Sequence, residues 1–528
     1  MYIFIRYSLV IFIFLSIRSY GVCFKKEKDS VQTQICDSNV FLKRLDHLNN
    51  QSPMDLKYNE HVDSFIKNYI NKNKDRFVSE LIELLKIPSI SADPKYKKEV
   101  FFCADTVANS LKKAGAENIE ICNTEGYPIV YADKIVNDKL PTILIYGHYD
   151  VQPPDPYDLW DHDPFDAVEL NGRLFGRGAA DNKGPQIVHM AALHNVLKKY
   201  PNLPIHITYL IEGEEEIGSP SFRGFLEENK HRLKGDMLLI SDTGSPSPDQ
   251  LVVTTGLRGL TALEIEIKGP KQDLHSGVHG GALLNPLQAI MRICSSLHDE
   301  SGKVAVPGFY DDVCHPQPWE REELAKLPMT QLQYADFLGI SEFSPPPGYT
   351  PLEGIRFCPT LEFNGLGGGY QGEGSKTVIP SNAFAKITCR LVPDQNWEDI
   401  AEKVKRAIFS VCPSSVEAQV KISGGGDPYV VIPPGKPGSS DKESELSKKA
   451  FPLIEKCVQN SFGNQPLFLR EGGSIPIVRD LKEVAGLDAL MLGLFTNEDN
   501  LHAPNESFHL GMMQKAIEAF EEFFRELV

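Results

Sequence analysis

The ten cysteines of this 528-residue sequence include no C-x-x-C pair, and they are spread from Cys23 to Cys457. Such a distribution is typical neither of a zinc ribbon nor of a dense disulfide framework. An isolated cysteine usually behaves as a small apolar core residue. We therefore expect most of the ten to be buried free thiols.

Basic residues are also in short supply: 54 Lys and Arg face 71 Asp and Glu, which gives a formal net charge of −17. Such a chain repels phosphate backbones and anionic membrane surfaces, so we expect no nucleic-acid partner. The length is too great for one compact core, and a hydrophobic content of 41% can supply two.

The N-terminal apolar run over residues 7–17 is shorter than the roughly 20 residues that a membrane-spanning helix needs. Because the run follows Arg6, it resembles a secretory signal. We predict an exported protein, with an uncleaved membrane anchor as the second interpretation. Arg18 and the poor cleavage site before Cys23 count against export, so a cytoplasmic location is the alternative.

Short β-rich apolar runs alternate with helical patterns along much of the chain, which predicts an α/β domain with a mainly parallel sheet. Runs of this kind suit strands that are buried on both faces. The predicted strands are residues 142–146, 205–211, 237–240 and 489–495, and the predicted helices include residues 186–199 and 221–231.

The pattern changes between about residues 256 and 426, where strands and helices predict a separate α+β domain with a four-stranded sheet. The predicted strands are 259–268, 360–364, 383–392 and 416–422, and the predicted helices are 285–298 and 397–411. An irregular, Pro-rich stretch over residues 304–351 is expected to be an insertion within this domain.

Five separated motifs supply candidate metal ligands of the types that suit zinc or manganese, namely imidazole and carboxylate without thiolate. Three carboxylates and one bridging hydroxide would neutralise two divalent ions, and two neutral histidines would complete the shells. The candidate ligands are His148, Asp181, Glu216, Asp242 and His502.

Most of these residues follow the carboxyl end of a predicted strand, the edge where open α/β sheets gather ligands. His148 and Asp150 lie on the same side of an extended segment, so Asp150 can accept the second ring N–H of His148. Taken alone, this H-x-D triplet is more typical of a solvated strand end. Asp181 alone would suit an ordinary helix N-cap, since we expect it to begin a helix.

The acidic triplet at residues 214–216 follows a buried strand, where three carboxylates repel each other unless cations or protons intervene. We predict that Glu216 binds metal while Glu215 takes a proton from bridging water and gives it to the leaving amine. The alternative is a solvated acidic turn. Asp242 and His502 carry little information alone, and the joint occurrence of the five motifs supports a two-metal hydrolase.

With these residues in place, the chain resembles the metallopeptidase family of carnosinase and cytosolic nonspecific dipeptidase, and most of all its bacterial dipeptidases. The likeness begins near residue 62. It is carried by G-H148-Y-D150-V-Q-P, G-R-G-A-A-D181-N-K-G-P, E-G-E-E215-E216-I-G-S, G-L-R-G, D-L-H275-S-G-V-H-G-G, T-V-I-P, C-R390-L-V-P and R-E471-G-G-S474-I-P.

The resemblance implies that His148 and Asp242 bind one metal, that Glu216 and His502 bind the other, and that Asp181 bridges the two. It also implies a cis peptide bond after Asp181.

The resemblance further implies a homodimer, formed through the smaller domain, in which His275 reaches the partner subunit's site and stabilises the oxyanion. Arg390 would hold the substrate's terminal carboxylate. Glu471 and Ser474 would also contact substrate, with Glu471 near the free amine. The expected division is residues 1–24 (signal peptide or anchor), 25–60 (N-terminal extension), 61–255 and 427–528 (catalytic domain), and 256–426 (lid and dimerisation domain).

The function predicted from the sequence is hydrolysis of dipeptides by two divalent ions, zinc before manganese, with a bridging hydroxide and Glu215 as general base. The first alternative is an amidohydrolase of the same fold that acts on N-acyl amino acids. A non-catalytic binding protein on this scaffold is the second.

Overall fold

The computed structural model describes residues 22–27, 30–35, 76–134, 141–203, 206–233, 235–439 and 444–527. The chain forms two compact units, residues 1–71 and 72–528. In the first unit, β1 (Val22–Glu27) pairs antiparallel with β2 (Ser30–Ile35). The apolar run predicted as a signal or anchor lies outside the described residues, and no helix among those described is long and apolar enough to cross a membrane.

The second unit contains three larger sheets and one short strand pair. Its strands are β3 (Glu117–Cys122), β4 (Ile129–Lys134), β5 (Thr142–His148), β6 (Val168–Leu170), β7 (Arg173–Phe175), β8 (His206–Glu212), β9 (Met237–Gly244), β10 (Val252–Leu257), β11 (Gly259–Lys268), β12 (Leu274–His275), β13 (Thr360–Gly368), β14 (Val378–Ile379), β15 (Asn382–Leu391), β16 (Glu417–Gly426), β17 (Tyr429–Val430), β18 (Leu467–Arg470), β19 (Ala489–Phe495) and β20 (Ser507–His509).

Helices cover the sheets of the second unit. They are α1 (residues 76–85), α2 (Lys97–Ala114), α3 (Gly184–Lys199), α4 (Phe222–Asn229), α5 (Ser276–His279), α6 (Pro286–Ser296), α7 (Pro318–Leu324), α8 (Gln331–Leu338), α9 (Pro351–Phe357), α10 (Trp397–Val411), α11 (Glu445–Phe462), α12 (Pro476–Ala485) and α13 (Leu510–Glu526).

The central sheet has nine strands in the order β17-β10-β19-β9-β5-β8-β4-β3, with β18 paired to β10. Its middle four strands, β19-β9-β5-β8, are parallel, and antiparallel strands flank them on both sides. The α/β class predicted from the sequence is confirmed, and the sheet is mixed, with its parallel part in the middle.

Helices pack on this sheet because its inner strands are buried along their whole length, as in β8. The chain moves one way across the sheet from β5 to β8 and the opposite way from β8 to β9. Right-handed crossovers then place α3 and α4 on opposite faces. Helix α3 packs against α2 and α13, and α4 packs against α12.

A four-stranded antiparallel sheet, in the order β13-β15-β11-β16, forms where the sequence predicted one. Burial alternates along β11 and β15, so one face of the sheet packs against α6 and α10 around a core that includes Ile265, Ile290 and Ile387. The domain boundaries drawn from the sequence stay predictions.

Residues 304–351 are not wholly irregular, as the sequence had suggested, because they contain α7 and α8. Both helices have capping boxes at their N-termini, which satisfy backbone N–H groups locally despite the many prolines. Helix α7 packs against β18 of the central sheet, where Glu320 accepts from Arg470 Nε at 2.6 Å and Nη2 at 2.9 Å.

Eight cysteines have side chains that the structure describes, and all eight are free thiols, as expected. Six of them are buried, Cys412 is partly buried and Cys314 is exposed.

Candidate metal centre and substrate cavity

The carboxyl ends of the parallel strands bring the predicted ligands together. His148 is the last residue of β5, and Glu215 and Glu216 lie in a short 3-10 turn directly after β8. Asp242 lies within β9, slightly earlier relative to its strand end than the sequence suggested, and His502 follows β19 in a loop. Because β9, β5 and β8 are neighbours, these side chains meet at one sheet edge.

Asp181 lies between the two histidines. Its Oδ1 is 3.0 Å from His148 Nε2, and its Oδ2 is 2.9 Å from His502 Nε2. Asp181 does not begin a helix, contrary to the prediction: its φ of −124° and ψ of 92° are extended, and α3 starts at Gly184. The peptide bond between Asp181 and Asn182 is cis, as the family resemblance implied.

Each histidine also faces one further carboxylate. His148 Nε2 is 3.8 Å from Asp242 Oδ2, and His502 Nε2 is 3.3 Å from Glu216 Oε2. The five side chains therefore form two groups that share Asp181, each with one imidazole and one carboxylate of its own.

Asp150 contacts both strand ends. The closest acceptor to His148 Nδ1 is the backbone oxygen of Asp150 at 3.1 Å, and the Asp150 carboxylate lies at 3.4 Å. The same carboxylate accepts the backbone N–H groups of Glu215 at 3.3 Å and Glu216 at 3.1 Å. One buried side chain thus holds His148 and the acidic turn in a fixed relation.

The loop that carries Asp181 is anchored by Glu506, a buried residue that sequence reasoning missed. Its carboxylate accepts from the backbone N–H groups of Gly178, Ala180 and Asp181 at 2.9, 3.0 and 3.1 Å, and from Arg177 Nη1 at 2.8 Å. Four donors on one carboxylate compensate its burial. The backbone of the loop is therefore held before any ligand binds.

Two amide side chains orient the carboxylates, and the sequence had assigned neither of them a site role. Asn182 Nδ2 donates to Asp242 Oδ1 and to the backbone oxygen of Ser241, each at 2.9 Å. Gln152 Nε2 donates to Glu216 Oε2 at 2.8 Å. Both residues lie in motifs quoted from the sequence, but their roles as donors depend on contacts that only the folded chain creates.

The electrostatics of the cluster indicate a shortage of positive charge. Burial raises the pKa of Glu215 and Glu216 well above the usual range, and nearby Asp181 adds to the rise. Burial and the charge of Asp181 raise the pKa of Asp242 to about 6. Burial also acts to raise the pKa of Asp181, but hydrogen bonds from the two histidines outweigh it and lower that pKa.

The donor set fits divalent metal ions. His148, Asp181 and Glu216 offer one ligand atom each within 4.8 Å of one another. Ligand atoms on a tetrahedral zinc ion lie roughly 3.3 Å apart, which is close to the spacing around Asp181. Imidazole and carboxylate suit zinc or manganese, and a cation would remove the repulsion that raises the carboxyl pKa values.

A cavity of about 480 Å³ opens beside this cluster, and Asp181, Glu215, Asp242 and His502 lie in its wall. Glu471 and Ser474 also line it, and Arg390 Nη1 donates to Ser474 Oγ at 2.8 Å. Glu471 and Ser474 thus share a cavity with three of the predicted metal ligands, and Arg390 contacts it through Ser474.

His275 lies elsewhere in this chain. It is exposed at the end of β12, where its Nδ1 accepts from the backbone N–H of Gly277 at 3.0 Å. His275 does not line the cavity beside the metal ligands of its own chain.

Comparison with known proteins places this geometry in a family. The chain is 32% identical to the Cys-Gly metallodipeptidase dug1 of Schizosaccharomyces pombe, over 87% of this chain and 97% of that protein. It is 30% identical to the human Beta-Ala-His dipeptidase, over 87% of this chain and 91% of that protein. Both relatives are eukaryotic, whereas the motifs had suggested the greatest likeness to bacterial enzymes.

The solved structure of human carnosine dipeptidase 1 superposes with a TM-score of 0.74 at 28% sequence identity, covering 88% of this chain and 98% of that one. The model of peptidase family M20/M25/M40 matches residues 144–526, which include every predicted ligand. By this match and by the identity and coverage of its relatives, the chain belongs to peptidase family M20/M25/M40.

Proposed function

We propose that this chain hydrolyses dipeptides with two divalent metal ions, held by His148, Asp181, Glu216, Asp242 and His502. The observation that carries the proposal is the position of Asp181, whose two oxygens face two different histidines at 3.0 and 2.9 Å. A carboxylate shared in this way suits a bridge between two ions. Asp242 beside His148 and Glu216 beside His502 would supply each ion with a further ligand. Zinc is the proposed metal, with manganese as the alternative.

Bound there, two divalent ions would lower the pKa of a water molecule and polarise the carbonyl of the substrate. Glu215 lines the cavity next to the ligands and has no partner in the ligand groups around Asp181, so its carboxylate is free to accept a proton from the attacking water. It then passes that proton to the nitrogen of the leaving amine. Asp150 keeps Glu215 in place through the backbone of the acidic turn.

The cavity supports a substrate with two charged ends. Arg390, oriented by Ser474, can bind a terminal carboxylate in a forked contact. Glu471 in the same cavity can accept hydrogen bonds from a free α-amino group. A dipeptide offers both groups, as the substrates named for the Cys-Gly and Beta-Ala-His relatives do. An N-acyl amino acid lacks the amine, so the amidohydrolase is the second candidate.

His275 would act in a homodimer. An exposed histidine outside its own cavity can stabilise an oxyanion only in another subunit. We therefore keep the dimer through the four-stranded-sheet domain as part of the proposal, together with export directed by the N-terminal segment.

A panel of dipeptides, assayed on metal-stripped protein with zinc, manganese or cobalt restored, tests the proposed function. Metal should restore hydrolysis, and Ala-Gly should be cleaved faster than N-acetyl-Ala-Gly. A preference for the acetylated substrate would favour the amidohydrolase. Absence of metal-dependent hydrolysis across the panel would favour a binding protein.

A further inference from the structure

Three arginines line the cavity beside the metal ligands or the cavity that adjoins it. Arg356 lines the same cavity as Glu215 and Asp242. Arg258 and Arg390 line an adjoining cavity of about 490 Å³, and the two cavities share Tyr334, Leu338 and Ile355 as common wall. We define Arg258, Arg356 and Arg390 as the arginine cluster.

Within the part of the chain that the structure describes, all three guanidinium groups have only neutral hydrogen-bond partners. Arg258 Nε donates to the backbone oxygen of Gly472 at 2.7 Å, Arg356 Nη1 to that of Leu352 at 3.2 Å, and Arg390 Nη1 to the hydroxyl of Ser474 at 2.8 Å. None of the three forms an ion pair with any residue that the structure describes. A partly buried guanidinium without an anion is costly, so the arrangement points to an anion supplied from outside the chain.

Arg356 shows the lack of an anionic partner most clearly. Its Nε is buried and has no hydrogen-bond partner among the described residues. Burial lowers its pKa, and the nearby Glu471 only partly opposes that effect. Burial also lowers the pKa of Arg258 to about 10, and the charge of Arg390 adds to the change. A substrate anion between Arg356 and Arg258 would offset the cost of burying both guanidinium groups.

A charge count identifies the missing anion. The cluster carries three positive charges, and the carboxylates whose charges act on Arg258 are Glu471 and the exposed Glu362. The balance is one positive charge. A dipeptide with neutral side chains is a zwitterion and leaves that charge in place, whereas a dipeptide with one acidic side chain removes it.

We propose that the arginine cluster selects dipeptides whose C-terminal residue is Asp or Glu, with Arg390 on the terminal carboxylate and Arg356 with Arg258 on the side-chain carboxylate. Two carboxylates on one residue match neighbouring guanidinium groups, whereas the amino end of the substrate lies towards Glu471. The inference rests on the proposed function and names the substrate class for that site.

The test compares kcat/KM for Ala-Glu and Ala-Gln, which have similar shape and differ in charge. Because a hydrogen bond to a charged group contributes about 1.5–3 kcal/mol, the wild-type protein should favour Ala-Glu by about 10-fold to 100-fold. Arg356→Met should lower kcat/KM at least about tenfold more for Ala-Glu than for Ala-Gln. Arg356→Lys keeps the charge without the forked donor. Its preference for Ala-Glu over Ala-Gln should therefore lie between that of the wild-type protein and that of Arg356→Met.

Arg406→Met, a change at an exposed position on α10, is the matched control and should leave the preference as it is. The inference would be refuted by equal kcat/KM values for Ala-Glu and Ala-Gln or by a preference for Ala-Gln. It would also be refuted if charge mattered only at the N-terminal residue, in a comparison of Glu-Ala with Gln-Ala. None of these results would contradict the proposed dipeptidase function. An equal loss on both substrates in Arg356→Met would show a structural role for Arg356 and refute the inference as well. Failure to cleave any dipeptide would refute the proposed function, and this inference with it.

Discussion

The two ends of the cavity carry opposite and separate imbalances of charge. At the sheet edge, Glu215, Glu216 and Asp242 are buried acids with raised pKa values, so this end lacks cations. At the other end, Arg258 and Arg356 are guanidinium groups without carboxylate partners among the described residues, so it lacks anions.

The buried acids and the arginines carry opposite charges, but the fold does not pair them with each other. The acids lie on β9 and in the turn after β8. The arginines lie on α9, on β15 and between β10 and β11, and the loop after β18 contacts two of them. Different ligands then complete the two ends: metal ions bind at the acidic end, and a negatively charged substrate binds at the arginine end. Charged groups that lack partners in the free protein gain favourable interactions only when a ligand binds. This favours the ligand whose charge matches the site.

The largest effect is expected at the acidic end. Glu215→Gln removes the proton acceptor while keeping size and hydrogen-bonding capacity, so kcat should fall by about 10³-fold. Metal content measured by elemental analysis should stay the same, because Glu215 is not a proposed ligand. Activity retained by the metal-replete variant would contradict its role.

A smaller loss is expected at the arginine end. Arg390→Met leaves the substrate carboxylate unpaired in the cavity, so KM for a neutral dipeptide should rise about 100-fold. The value of kcat should change much less, because this residue binds substrate rather than moving a proton. Steady-state kinetics beside Arg406→Met supplies the control, and a loss confined to kcat would place Arg390 in the chemical step instead.

Asn182→Ala is expected to weaken the acidic end more mildly. The change removes the donor to Asp242 Oδ1, which then becomes free to rotate away from His148. Loss of such an orienting contact should lower metal affinity by about tenfold. Competition with a chelator measures the affinity, and an unchanged value would show that Ser241 and the strand alone position Asp242.

The smallest effect on turnover is expected at Glu521, a buried acid far along α13 that takes no part in the cavity. Burial raises its pKa from 4.5 to about 7, so the folded protein binds this proton more tightly than the unfolded chain. Stability from this group is complete below pH 4.5 and is lost as pH rises through about 7.

Glu521→Gln lacks this titration, so the wild-type protein should lose about 2 kcal/mol more stability than the variant between pH 5 and pH 8. Urea unfolding at several pH values measures the difference. If the free energy of unfolding changed with pH in the same way for both proteins, burial would not raise the pKa of Glu521.

The sequence predicted the acidic end well because its residues sit in local patterns. His148 and the 214–216 triplet follow apolar runs whose strand character is plain, and parallel strands bring their ends together whatever the details of packing. Helix α10 and strands β11 and β19 match their predicted bounds, since their apolar periodicity is strong and unbroken.

The sequence predicted the arginine end poorly. Arg390 was found only through a family motif, and Arg356 lies just after the Pro-rich stretch that was expected to be irregular. Whether an arginine faces solvent or a cavity depends on how its segment docks, and capping boxes rather than apolar periodicity organise α7 and α8. Glu506 was missed for a similar reason, because its four donors lie more than three hundred residues earlier.

That long separation has a consequence for biosynthesis. The segment ahead of Asp181 acquires its carboxylate anchor only when the ribosome has reached position 506 of 528. A growing polypeptide therefore carries this loop without its anchor from the synthesis of Asp181 until Glu506 has been added. The proposed metal site therefore cannot form until residues more than three hundred positions after Asp181 have been added.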